Sequence, residues 1–162
     1  MEQGKICIYV GEGQETIMSV LGKALLAADE GKQVMVIRFM KDRSLKESAF
    51  LKRLEPEVRF FRFEKYEEEF GDLPLEHQRD EIQNIKNGLH YARKVLRTGE
   101  CDLLILDGVL GLLDPGIITE EEMLSILSEK TEEMQVVLTG IRLHDSIDRL
   151  ADEVCRIEVC CH

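Results

Sequence analysis

At 162 residues with 44% apolar composition, the chain is long enough for one domain with a sizeable core and falls outside the disordered class. The 32 acidic against 21 basic residues leave a net charge of −11, which argues against nucleic acid and against membrane, since an anionic partner needs a basic patch. No apolar run approaches the roughly 20 residues of a membrane span, and Met1-Glu2-Gln3-Gly4-Lys5 lacks the form of a signal peptide, so a cytoplasmic protein is expected.

In chain order, residues 5–10 read as a strand and 16–30 as a helix with Val20, Leu21, Ala24, Leu25 and Ala28 on one face. Gly31 stands where a helix C-terminal glycine belongs. Residues 34–39 form a near-continuous apolar run, as in a strand covered on both faces. A short helix is expected over 44–54, with Ser44 as its cap, then a strand over 58–63 and a charged loop over 64–74. A long helix follows over 75–97, carried by Ile82, Ile85, Leu89, Ala92 and Leu96 at three- and four-residue steps and closed by Thr98-Gly99. Residues 101–107 read as a buried strand ending in Asp107, and 108–118 as a loop with the turn signal Asp114-Pro115-Gly116. Thr119 followed by three glutamates marks a capped helix start. Strands over 134–138 and 154–159 flank a short helix over 145–151. Alternating strands and helices predict βαβ units and a largely parallel sheet, hence one three-layer α/β domain over 1–162.

The stretch from Gly11 to Met18 lies between an apolar strand and a helix, the setting of a phosphate-binding loop. A working loop reads G-x-x-x-x-G-K-[ST], with Lys on the phosphates and a hydroxyl on Mg²⁺. Glu15, Thr16 and Ile17 occupy the Gly, Lys and Ser/Thr positions. A bare helix start attracts an anion by roughly 0.3–1 kcal/mol. Two carboxylates, Glu12 and Glu15, oppose it: a like-charge pair about 4 Å apart costs on the order of 4 kcal/mol at an effective dielectric near 20. Ile17 has no oxygen for Mg²⁺. The competing account is a tight strand-to-helix turn kept for folding.

Several segments taken together resemble the ATP:corrinoid adenosyltransferase family of P-loop proteins. Val10-Gly11-Glu12-Gly13 matches the start of that family's opening, T-G-x-G-K-G-K-T-T, and Gly22, Ala24, Ala27, Gly31, Lys32 and Val34 continue the likeness without a gap. Val36-Ile37-Arg38-Phe39-Met40-Lys41 resembles its V-x-Q-F-x-K, and Leu104-Ile105-Leu106-Asp107-Gly108 its L-D-E strand end. Val136-Val137-Leu138-Thr139-Gly140 resembles V-x-x-T-G-R, and Leu150-Ala151-Asp152-Glu153-Val154 resembles L-A-D-x-V. The resemblance implies a P-loop NTPase-like fold and a homodimer. It also implies a reaction in which cobalt(I) attacks the 5′ carbon of ATP and releases triphosphate, with ATP, Mg and a corrinoid as ligands. The departures fall on the chemistry: Gln14, Glu15, Thr16 and Ile17 replace Lys, Gly, Lys and Thr, Gly108 replaces Glu, and Ile141 replaces Arg, with Arg142 adjacent. The expectation is a degenerate, non-catalytic member that holds a corrinoid or pairs with itself or an active paralogue. The alternative is a working transferase with an atypical loop.

The candidate ligand-binding residues are thus Gly11, Glu12, Gly13, Gln14, Glu15, Thr16, Ile17 and Met18 of the loop. Arg38, Lys41, Asp107 and Arg142 join them at the C-terminal strand ends, where open α/β sheets bind ligands. Asp107 reads either as an acid holding Mg²⁺ through water or as a loop-capping residue, and no catalytic residue is assigned. Leu110, Leu112, Leu113 and Ile117 form either a corrinoid- or subunit-facing surface or part of the core. His77, His90 and His144 read as surface or capping residues. Cys7 and Cys101 fit apolar strands as small hydrophobes. The terminal Cys160-Cys161-His162, with Cys155, lacks the spacing of a metal site, and the five cysteines form no disulfide framework.

Overall fold

The computed structural model describes residues 4–39 and 49–161. Among these, six strands form one sheet: β1 (Ile6–Val10), β2 (Val34–Arg38), β3 (Val58–Arg62), β4 (Leu103–Asp107), β5 (Gln135–Gly140) and β6 (Glu153–Arg156). Every neighbouring pair is parallel, in the order β3-β2-β4-β5-β1-β6. The helices are α1 (Gln14–Asp29), α2 (Ala49–Lys52), α3 (Leu75–Thr98), α4 (Glu120–Ser128) and α5 (Asp145–Leu150).

The two-residue alternation of each strand divides the core between the two faces. Ile8, Ile37, Leu104, Leu106, Val136 and Leu138 pack against Ile85, Leu89 and Val95 of α3, Met123 and Leu127 of α4, and Ile147 of α5. Cys7, Val34, Val36, Leu103, Ile105 and Val137 pack against Ile17, Val20 and Ala24 of α1. The three-layer α/β expectation holds, and both faces are dry, which is why the strands read as continuous apolar runs.

The same alternation governs the site. Arg38, Asp107 and Thr139 share the parity of the α1 face, and each lies at the C-terminal end of its strand. Parallel pairing sets Arg38 opposite Asp107. It likewise pairs Leu106 with Leu138, one residue before Asp107 and Thr139.

Local signals are recovered with small shifts. α1 begins two residues earlier than its periodicity indicates, because Gly13 rather than a side chain starts the first turn. Thr119 caps α4, its hydroxyl accepting a bond from the Glu122 N–H at 3.1 Å. Gly99 closes α3 with φ 65°. Of the helix expected over 44–54, residues 49–54 are described; Ala49–Lys52 is helical, and the helix ends two residues earlier than expected, in a turn. The final strand is shorter than expected and starts earlier, at Glu153. Within 108–118, Val109–Leu112 forms a 3₁₀ turn. Leu110, Leu112 and Leu113 are buried, so of the two readings of this apolar loop the core-packing one applies to them.

Candidate functional site

β1 passes into α1 through Gly11, Glu12 and Gly13. Gly11 is demanded by space: a Cβ there would stand 2.6 Å from the Ile157 carbonyl oxygen and 2.7 Å from Thr16 Oγ1. Gly13 is the N-cap residue at φ 82°, a conformation that suits glycine, and no side chain caps the helix. Instead the Glu15 side chain folds back, its Oε2 lying 2.8 Å from where a Cβ on Gly13 would be. A carboxylate thus lies beside the positive end of α1, a favourable placement. Gln14 and Met18 face solvent. Thr16 and Ile17 turn inward, at 5% and 8% exposure. Ile17 packs against the sheet, and Thr16 Oγ1 is buried with no hydrogen-bond partner.

Across from the loop, Thr139 joins two strands. Its hydroxyl donates to Asp107 Oδ1 at 2.8 Å and accepts from the Gly108 N–H at 2.7 Å. Arg38 Nε lies 3.9 Å from Asp107 Oδ2, and both side chains are about nine-tenths buried. Asp107 is therefore shared between a hydroxyl and a guanidinium. At the rim, Asp114 Oδ1 accepts from Arg142 Nη1 and contacts His144 Nε2, each at 3.1 Å.

A cavity of about 400 Å³ opens between these groups. Of the residues singled out in the sequence, Gly11, Gly13, Thr16, Ile17, Asp107 and Arg142 line it. Glu12 lines an adjoining groove with Ile141 and Arg156 instead. Arg38 stands behind Asp107 and faces a small pocket beside Phe60 and Arg62. Lys41 lies outside the described residues. Sequence reasoning did not single out Thr139 or Asp114 as site residues, and it read Leu110 either as part of a corrinoid- or subunit-facing surface or as core. Thr139 could have been found by stepping two residues from Val137; Asp114 carried only a turn signal.

Among the described residues no cluster of three or more His, Cys, Asp or Glu is arranged to hold a metal. Cys7 and Cys101 are buried, while Cys160 and Cys161 are exposed. His162 lies outside the described residues. No helix among the described residues is long and apolar enough to cross a membrane.

The family model described as ATP:corrinoid adenosyltransferase BtuR/CobO/CobP matches residues 2–162. A corrinoid adenosyltransferase of Escherichia coli strain K12 is 24% identical over 159 residues, spanning 94% of this chain and 76% of that protein. Its counterpart in Escherichia coli O6:H1 matches to the same extent. Among solved structures, replication initiator DnaA bound to AMPPCP and single-stranded DNA superposes with a TM-score of 0.44 at 19% identity, over 97% of this chain and 41% of that one. Domain III of the Thermotoga maritima replication initiation protein DnaA gives 0.42 at 18% identity, over 94% and 54%. This chain thus spans about two fifths of the first DnaA chain and about half of the second.

Proposed function

Because the chain belongs to the ATP:corrinoid adenosyltransferase family, we propose that it serves that family's chemistry without catalysing it, as a protein that holds a corrinoid or pairs with a second copy or an active paralogue. The observation that carries this reading is the Glu15 carboxylate folded beside Gly13 at the bare start of α1. It stands beside the place where a phosphate would draw on the helix N-terminus, and Glu12 adds a second negative charge. The residues present do not fit Mg-triphosphate: Ile17 contributes no oxygen, and Asp107 already serves Thr139 and Arg38. Without a loop lysine, nothing in the loop offsets the charge of a triphosphate leaving group.

The open cavity beside the loop favours a second reading, a working transferase in which Arg38, Lys41 or Arg142 takes over the missing cation's role. Calorimetric titration separates the two. The non-catalytic reading expects no heat with Mg-ATP and saturable binding of hydroxocobalamin; heat with neither points to a protein partner. Micromolar binding of Mg-ATP overturns it. The triple substitution Glu15→Gly, Thr16→Lys, Ile17→Thr is expected to restore ATP binding, since the cavity next to the loop is retained.

A further inference from the structure

We infer that the Cys160-Cys161 pair supplies a thiolate ligand to the cobalt of a corrinoid seated at the mouth of the site. This rests on the reading that the protein holds a corrinoid.

The first observation is position. The segment after β6 is pinned to β1, where the Ile157 N–H donates to the Val10 carbonyl at 2.8 Å. Arg156, Ile157, Glu158 and Val159 line a groove of about 460 Å³ together with Gly11, Glu12 and Ile141. Gly11 and Ile141 also line the cavity beside the loop, so groove and cavity adjoin. Cys160 and Cys161 follow directly in the chain. At about 3.3–3.6 Å per residue, neither Cα lies more than about 7 Å from that of Val159.

The second is access. Cys7 and Cys101 are buried, and Cys155 is partly buried in β6 opposite Tyr9, whereas Cys160 and Cys161 are exposed.

The third is the surface around them. Ile141 and Val159 are 53% and 58% exposed, two large apolar side chains on one groove whose other side chains include Glu12, Arg156 and Glu158. A corrinoid, an apolar ring edged with amides, suits a surface of that mixture.

The donor chemistry decides the metal partner. Adjacent cysteines make a poor tetrahedral centre, and among the described residues no group of three ligands is assembled. A corrinoid needs only one protein ligand, because the corrin nitrogens hold the equatorial positions and leave the axial one open to exchange. The thiolate is the ligating form of cysteine. Ligation breaks the bond from cobalt to its axial water and forms one to sulfur. The water leaves, the thiol proton passes to solvent, and cobalt stays in the +3 state with no electron transferred.

The test is an absorption titration of the full chain, reduced and then freed of reductant, with hydroxocobalamin and with cyanocobalamin, each repeated by calorimetry. Hydroxocobalamin is expected to give a saturable change in the cobalt absorption bands. Cyanocobalamin is expected to give none, since cyanide holds the axial position against a thiolate. The double variant Cys160→Ser, Cys161→Ser should abolish the band change and weaken hydroxocobalamin about tenfold, and Cys155→Ser should retain both. Ile141→Glu, at an exposed position of the groove, should weaken the band change about fivefold or more. A band change that persists in the double variant, is absent from the parent, or ignores Ile141→Glu overturns the inference; the last outcome would mean thiols reacting without a site. Heat with both corrinoids and no band change removes the inference and leaves the corrinoid-holding reading standing. Neither heat nor band change removes both.

Discussion

Thr139 is the residue on which the inner end of the site depends. Its one hydroxyl satisfies the Asp107 carboxylate and the Gly108 N–H, groups presented by β4 and by the turn after it. Replacing Thr139 by Val keeps the shape and leaves both partners short of a bond in a buried place. The expected loss is about 1–3 kcal/mol of unfolding free energy in urea titration. Addition of Asp107→Asn should cost less in that background than in the parent, since the two residues act as one unit. Additive losses would show that the bond contributes nothing. Gly140 works at the same scale through size: a Cβ there would stand 2.5 Å from the Leu110 Cβ, so the cavity wall tolerates no side chain.

At the scale of elements, the segment before α3 carries the clearest surprise. Residues 64–74 read as an irregular charged loop, yet they are tied down. The buried Glu81 carboxylate of α3 accepts from the Lys65 and Tyr66 N–H groups at 2.9 and 3.0 Å, and from Asn84 Nδ2 at 3.0 Å. Gln78 adds bonds to the Phe70 and Leu73 carbonyls. Glu81→Ala is expected to destabilise by about 1.5–3 kcal/mol. Amide exchange should quicken at Lys65 and Tyr66 while β4 stays protected; unchanged exchange there would mean that the loop is held by something else. A charged residue on a helix is normally read as solvent-facing, and the bonds from the loop's N–H groups and Asn84 help to make its burial tolerable.

For the whole molecule, the buried cysteines make stability fall at alkaline pH. Burial pushes the Cys101 thiol from its ordinary 9.0 up to about 12, and burial raises Cys7 as well. Between 9.0 and about 12 the folded state keeps a proton that the unfolded chain releases, so unfolding gains on folding as pH rises. Denaturation midpoints followed from about pH 8 to about pH 11 should fall less steeply for Cys101→Ala than for the parent; parallel slopes would refute the assignment. Almost all of the layered architecture was legible beforehand, because strand runs, helix periodicity, the Thr119 cap and the Gly99 stop are written within a few residues of chain. The altered loop was legible too, since Glu15, Thr16 and Ile17 stand at positions whose chemistry is known by type. The site's pairings were not. Asp107 meets Thr139 across 32 positions, and Asp114 meets Arg142 and His144 across 28 and 30. Strand register brings such groups together, and register is a property of the assembled sheet. By itself, then, the sequence determined the elements and their alternation. Only the tertiary structure decided which carboxylates are neutralised and that the Thr16 hydroxyl is buried without a hydrogen-bond partner, because each depends on contacts between distant segments.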